Sequence, residues 1–70
     1  MDFVTVRDKT YNVKKGTLIL KNKGINSISE IKGLENFPAM KTLDLSNNNI
    51  SEISGLDHME NLFNLNLSNN

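Results

Sequence analysis

The fold class this 70-residue sequence predicts is a small α/β solenoid, a stack of short parallel strands each returned by a short helical segment. Three observations predict it. First, the chain repeats itself: Ile28-Ser29-Glu30-Ile31-Lys32-Gly33-Leu34 recurs as Ile50-Ser51-Glu52-Ile53-Ser54-Gly55-Leu56, with six of seven positions matching at a spacing of 22. The same offset carries Leu43-Asp44-Leu45-Ser46-Asn47-Asn48 onto Leu65-Asn66-Leu67-Ser68-Asn69-Asn70. A period of roughly 20 to 50 residues marks stacked structural units. Second, Leu43 and Leu45 alternate with Thr42, Asp44 and Ser46, the period-2 pattern of a strand with one buried face. Third, no single unit can bury its own apolar side, so each must lean on a neighbour.

Taken in order, Phe3-Val4-Thr5-Val6-Arg7-Asp8-Lys9-Thr10-Tyr11-Asn12-Val13 is expected to form a β-hairpin. Val4 and Val6 face Tyr11 and Val13, with Arg7-Asp8-Lys9 as the connection. Residues 1–16 are assigned to this hairpin as a cap on the raw end of a stack, and 17–70 to about two full repeats plus the strand of a third. Asn48 follows the Leu43–Leu45 strand where the chain must turn away, and a buried amide there can satisfy loop backbone groups. Asn70 stands in the equivalent place. Ile50 and Ile53 then return to the core, Gly55 permits a tight bend, and Leu56 and Met59 lie one helical turn apart.

The pattern Met40-x-x-Leu43-x-Leu45-x-x-Asn48-x-Ile50, repeated as Leu62-x-x-Leu65-x-Leu67-x-x-Asn70, resembles the leucine-rich repeat proteins. The 22-residue length, with Ile50-x-x-Ile53-x-Gly55-Leu56-x-x-Met59 completing the unit, is most similar to the intracellular, phosphatase-regulatory-like subclass. The resemblance implies a right-handed solenoid with a short parallel sheet on its concave side, and it covers residues 17–70. The first copy departs from the pattern. Leu18 and Leu20 precede Leu43 and Leu45 by 25 residues, three more than the period. Lys23 then falls in the asparagine position unless Asn26 serves instead, with Asn26-x-Ile28 matching Asn48-x-Ile50.

The chemistry is not that of an enzyme. Asp44, Ser46 and His58 are the right residue types for a nucleophilic triad, but His58 belongs to the return segment, away from the strand face. Asp44, Glu52, Asp57 and Glu60 have no metal-ligand spacing, and the four glycines are too scattered for a phosphate loop, so neither cofactor nor metal is expected. The absence of cysteine removes disulfides and thiolate zinc sites, and with no apolar leader at the start it suits a reducing, cytoplasmic setting. Asn49-Ile50-Ser51 and Asn66-Leu67-Ser68 match a glycosylation acceptor, yet with twelve asparagines such matches arise by chance. No stretch approaches a membrane span. Residues 1–23 carry +4 (six basic, two acidic) and residues 24–70 carry −4 (two basic, six acidic). The basic end has Tyr11 as its only aromatic expected to be exposed for stacking, and the body is acidic, which argues against nucleic acid.

Protein binding is the expected role. The outward strand positions are Thr17, Ile19 and Lys21, then Thr42, Asp44 and Ser46, then Asn64, Asn66 and Ser68. The last two triplets are the expected partner-binding residues. Three strands about 4.8 Å apart make a narrow face, well short of the roughly 800 Å² per partner of a standard interface. The last strand offers an open edge, with Leu65, Leu67, Ile53 and Met59 as the expected self-association surface. Two arrangements follow: a homodimer closed through that edge, or a piece of a longer repeat protein. The charge split leaves a head-to-tail filament as a further possibility.

Overall fold

Short β-branched and leucine-containing runs, punctuated by Gly and Asn, build two three-stranded sheets in a computed structural model that describes residues 2–70. The first sheet begins with β1 (Phe3–Val6) and β2 (Lys9–Asn12), an antiparallel pair in which Val4 faces Tyr11 and Val6 faces Lys9. The hairpin is tighter than the three-residue connection expected: Arg7-Asp8 makes the turn alone, and Lys9 is already in the strand. Arg7 takes a left-handed backbone, φ 57°, to close it. Met1, the first residue of the expected 1–16 segment, lies outside the described residues.

The hairpin pairs with the return side of the first repeat. β1 pairs antiparallel with β4 (Ile31–Lys32), Val6 opposite Ile31 and Thr5 opposite Lys32, giving the order β2-β1-β4. Val4, Val6 and Val13 thereby enter the same core as Ile28, Ile31 and Leu34. The second sheet is parallel, with β3 (Thr17–Ile19), β5 (Thr42–Asp44) and β6 (Asn64–Asn66) in that order. Leu18, Leu20, Leu43 and Leu45 point inward and are buried. The ladder repeats its own details: Gly16 O accepts from Lys41 N and Thr42 N, and Lys41 O accepts from Phe63 N and Asn64 N.

The return segments are shorter and tighter than helices proper. In the first, Ile28–Glu30 and Leu34–Asn36 are single 3₁₀ turns. The first is fixed by a capping box, in which Ser27 Oγ accepts from Ser29 N while Glu30 Oε2 accepts from Ser27 N. The second starts at Gly33, whose φ of 96° no β-carbon-bearing residue adopts without strain, and ends before Pro38. In the second return only isolated turns form, Met59 N donating to Leu56 O at 3.0 Å and Leu62 N to Met59 O at 3.3 Å.

The position of the three extra residues in the first copy is now settled. Asn48 Oδ1 accepts from Lys23 N (2.9 Å) and Ile25 N (3.1 Å). Its Nδ2 donates to Leu20 O, Leu45 O and Ser46 O at 2.9–3.2 Å. The offset of 25 therefore persists through Ile25, and Lys23 occupies the ladder position, its ammonium 5.0 Å from the centroid of Tyr11. Asn26 is exposed and its N–H goes to Glu30 Oε2 (3.0 Å), so it does not replace the ladder amide. Arg7 holds this atypical bend from outside, donating to Lys23 O (3.1 Å), Gly24 O (2.7 Å) and Glu30 Oε1 (3.1 Å).

Candidate functional site

Side chains of the parallel sheet that do not enter the core form three rows across the strands. Thr17, Thr42 and Asn64 stand in one register row and Ile19, Asp44 and Asn66 in the next. The ladder bonds Leu20 N to Asp44 O, Asn22 N to Ser46 O and Asn47 N to Ser68 O place Lys21, Ser46 and Ser68 in a third. The face is one of hydroxyls and amides, with Ile19, 56% exposed, as its apolar member and Lys21 as its cation.

Two of its side chains are locked by an identical local closure. Asp44 Oδ1 accepts from Ser46 N (3.0 Å) and Ser46 Oγ (2.7 Å). Asn66 Oδ1 accepts from Ser68 N (3.0 Å) and Ser68 Oγ (2.8 Å). Because the obligate Ser68 N–H can meet only the carbonyl oxygen, the amide orientation of Asn66 is determined. The Ser46 backbone and hydroxyl hydrogen bonds hold the Asp44 carboxyl below its ordinary pKa, with the charge of Lys21 assisting and partial burial opposing.

The expected partner-binding set is brought onto one face, with one exception. Ser46 is only 4% exposed, because its hydroxyl is turned back onto Asp44 and it lies between neighbouring strands, so it shapes the face without offering a contact. Thr42 and Asp44 are half-buried; Asn64, Asn66 and Ser68 are exposed. Asn48 is a buried hub, and Asn70 repeats its pattern by accepting from Ile50 N and donating to Leu45 O, Leu67 O and Ser68 O.

The expected edge surface is rearranged. Met59 is buried in the core of the single chain, since its turn with Leu56 folds it inward, and it has little surface to offer a second molecule. Ile53 is 64% exposed and Leu65 40% exposed, while Leu67 is half-buried. Phe63, 72% exposed beside β6, joins them and was missed in the sequence. Its signal was present: it stands at the position of Gly16 and Lys41 in the other units, where an aromatic is out of place.

His58 does not meet Ser46 or Asp44; its Nε2 contacts Leu34 O at 3.1 Å, tying the second return segment to the first. Among the described residues no group of three acidic or histidine side chains is arranged for a metal, and no helix is long and apolar enough to cross a membrane. Arg7, read from the sequence only as a turn residue and a charge, proves to be the tie between hairpin and first repeat.

Residues 17–58 match the protein family described as Leucine Rich repeats (2 copies). Comparison with curated proteins and with solved structures yields no match.

Proposed function

Because this chain belongs to the leucine-rich repeat family, whose domains generally mediate protein–protein interaction, we propose that it is a non-catalytic scaffold that binds a protein partner through the outer face of β3, β5 and β6. The observation that carries the proposal is the construction of that face. Its polar side chains are pre-ordered by their own local hydrogen bonds, Asp44 on Ser46 and Asn66 on Ser68, so a partner meets them with little entropy left to lose. The wider assignment follows the same line: a right-handed solenoid over 17–70 with the 1–16 hairpin as its cap, of the 22-residue intracellular subclass, in the cytoplasm. The pairing of β1 with β4 and the lack of cysteine support those points. To test the binding face, Ile19→Lys with Asn64→Lys should abolish capture of a partner by the tagged chain, whereas Glu35→Lys on the return side should not. Equal capture by all three refutes the assignment.

A second reading, self-association through the β6 edge, is favoured by the exposed apolar side chains Phe63 and Leu65 on and beside β6, with Ile53 exposed in the preceding return segment. Alternation along a parallel ladder leaves the outward N–H groups of Leu65 and Leu67 free to pair with another strand. A second copy there would also double the width of a face that is narrow for one partner. Light scattering during size-exclusion chromatography should give a mass that rises from monomer to dimer with concentration. Leu65→Lys with Leu67→Lys should hold it at monomer or unfold the chain. A folded monomer of the unsubstituted chain at millimolar concentration removes this reading.

A further inference from the structure

The two locked side chains of the middle row leave different atoms free. Asp44 uses Oδ1 for Ser46, and no hydrogen bond among the described residues uses its Oδ2. Asn66 uses Oδ1 for Ser68, and no hydrogen bond among the described residues uses its Nδ2. Asp44 and Asn66 are direct register partners on adjacent strands. The same closure holds both, so their free atoms point the same way, separated by about the inter-strand spacing of 4.8 Å. The sheet thus offers a fixed acceptor beside a fixed donor.

We propose that Asp44 and Asn66 form a recognition pair for a primary carboxamide, the side chain of a glutamine or asparagine on a protein partner. In a primary amide the oxygen and one N–H hydrogen lie on the same side of the C–N bond. The N–H is donated to Asp44 Oδ2 while the oxygen accepts from Asn66 Nδ2. The oxygen and nitrogen of an amide are about 2.3 Å apart, so two bonds of about 2.9 Å that splay modestly span the pair. A backbone peptide group does not fit, because its trans N–H and C=O point in opposite directions. A carboxylate brings two acceptors and meets repulsion at Asp44. A guanidinium brings only donors and leaves Asn66 Nδ2 facing an N–H. The neighbouring Ile19, next in the same row and exposed, provides apolar surface for the residue flanking the amide.

Two substitutions invert the chemistry without disturbing the fold, since each copies the closure already present on the adjacent strand. Asp44→Asn converts acceptor-plus-donor into two donors; Asn66→Asp converts it into two acceptors. The experiment is selection of displayed random dodecapeptides on the immobilised unsubstituted chain and on each variant. The inference rests on the outer face being the binding face, and the outcomes separate the two. The unsubstituted chain should enrich Gln or Asn at one peptide position, D44N should enrich Glu or Asp there, and N66D should enrich Arg or Lys. Replacing the selected Gln by Glu should weaken binding to the unsubstituted chain by about tenfold, as loss of one charge-assisted hydrogen bond implies. Peptides that are lost on Ile19→Lys yet show no amide preference overturn the carboxamide proposal and leave the face standing. Peptides indifferent to Ile19→Lys, D44N and N66D overturn both, and failure to select any peptide does the same.

Discussion

Replacing Asn48 by Ala tests the physical centre of the stack. The amide accepts two backbone N–H groups and donates to three carbonyls, joining the first bend to the second strand from a buried position. Truncation orphans Ile25 N, which is buried, and Lys23 N, which water reaches in part. At about 1–3 kcal/mol for each unsatisfied buried group, with relief for Lys23 and for the doubly accepting carbonyls, the cost is about 3–5 kcal/mol. A 70-residue domain has a total stability of roughly 3.5–10 kcal/mol, so the variant should sit near or below its folding threshold. Urea unfolding followed by circular dichroism is the assay. With a slope near 1 kcal/mol per molar for a domain of this size, the midpoint should fall by about 3–5 M or the folded baseline should vanish. Asn26→Ala is the control and should leave the midpoint unchanged, because only its backbone N–H is engaged. An Asn48→Ala midpoint within about 0.5 M of the parent, or an Asn26→Ala loss as large, would refute the reasoning.

The depressed Asp44 pKa has a pH consequence. Its stabilisation is fully present above the unfolded carboxyl value of about 3.9 and is lost as pH falls through the lower folded value, so the unsubstituted chain should weaken relative to Asp44→Asn in strong acid. Midpoints in urea from pH 7 to pH 2 check this, and a constant difference between the two proteins across that range contradicts it. Arg7 combines a left-handed backbone with three hydrogen bonds from its guanidinium. Arg7→Gly and Arg7→Ala both forfeit the bonds, but only glycine releases the backbone, so the glycine variant should be more stable by about 1 kcal/mol. Hydrogen exchange should show residues 22–25 losing protection in both, and unchanged exchange there would mean the clamp is idle.

Much of the fold was legible because a repeat states its own architecture twice. The alternation around Leu43 and Leu45, the asparagine after it and the glycine in the return segment are local requirements, each imposed by which face is buried or which φ is allowed. Hence the parallel register of β5 and β6 at an offset of 22 could be read directly. The outward rows followed by elimination, since every second strand residue is committed to the core. The hairpin was also legible, from Val4, Val6, Tyr11 and Val13, although its turn is one residue shorter than expected.

Other features depended on contacts between residues far apart in the chain. The sequence left Lys23 and Asn26 as rivals for the ladder position, and only the reach of Asn48 across 23 to 25 residues decides for Lys23. No local pattern placed β1 against β4, or Arg7 on Lys23, Gly24 and Glu30, because a hairpin's two edges are equivalent until a neighbour chooses one. Ser46 and Met59 were misjudged as available surface for the same reason: exposure belongs to the packed whole. The free oxygen of Asp44 and free nitrogen of Asn66 stand side by side only because two strands 22 residues apart lie in register. Periodicity, which is local and repeated, was determined by the amino-acid sequence itself; which atoms remain unsatisfied at the surface was decided by tertiary contacts, where each hydrogen bond made removes one that could have been offered.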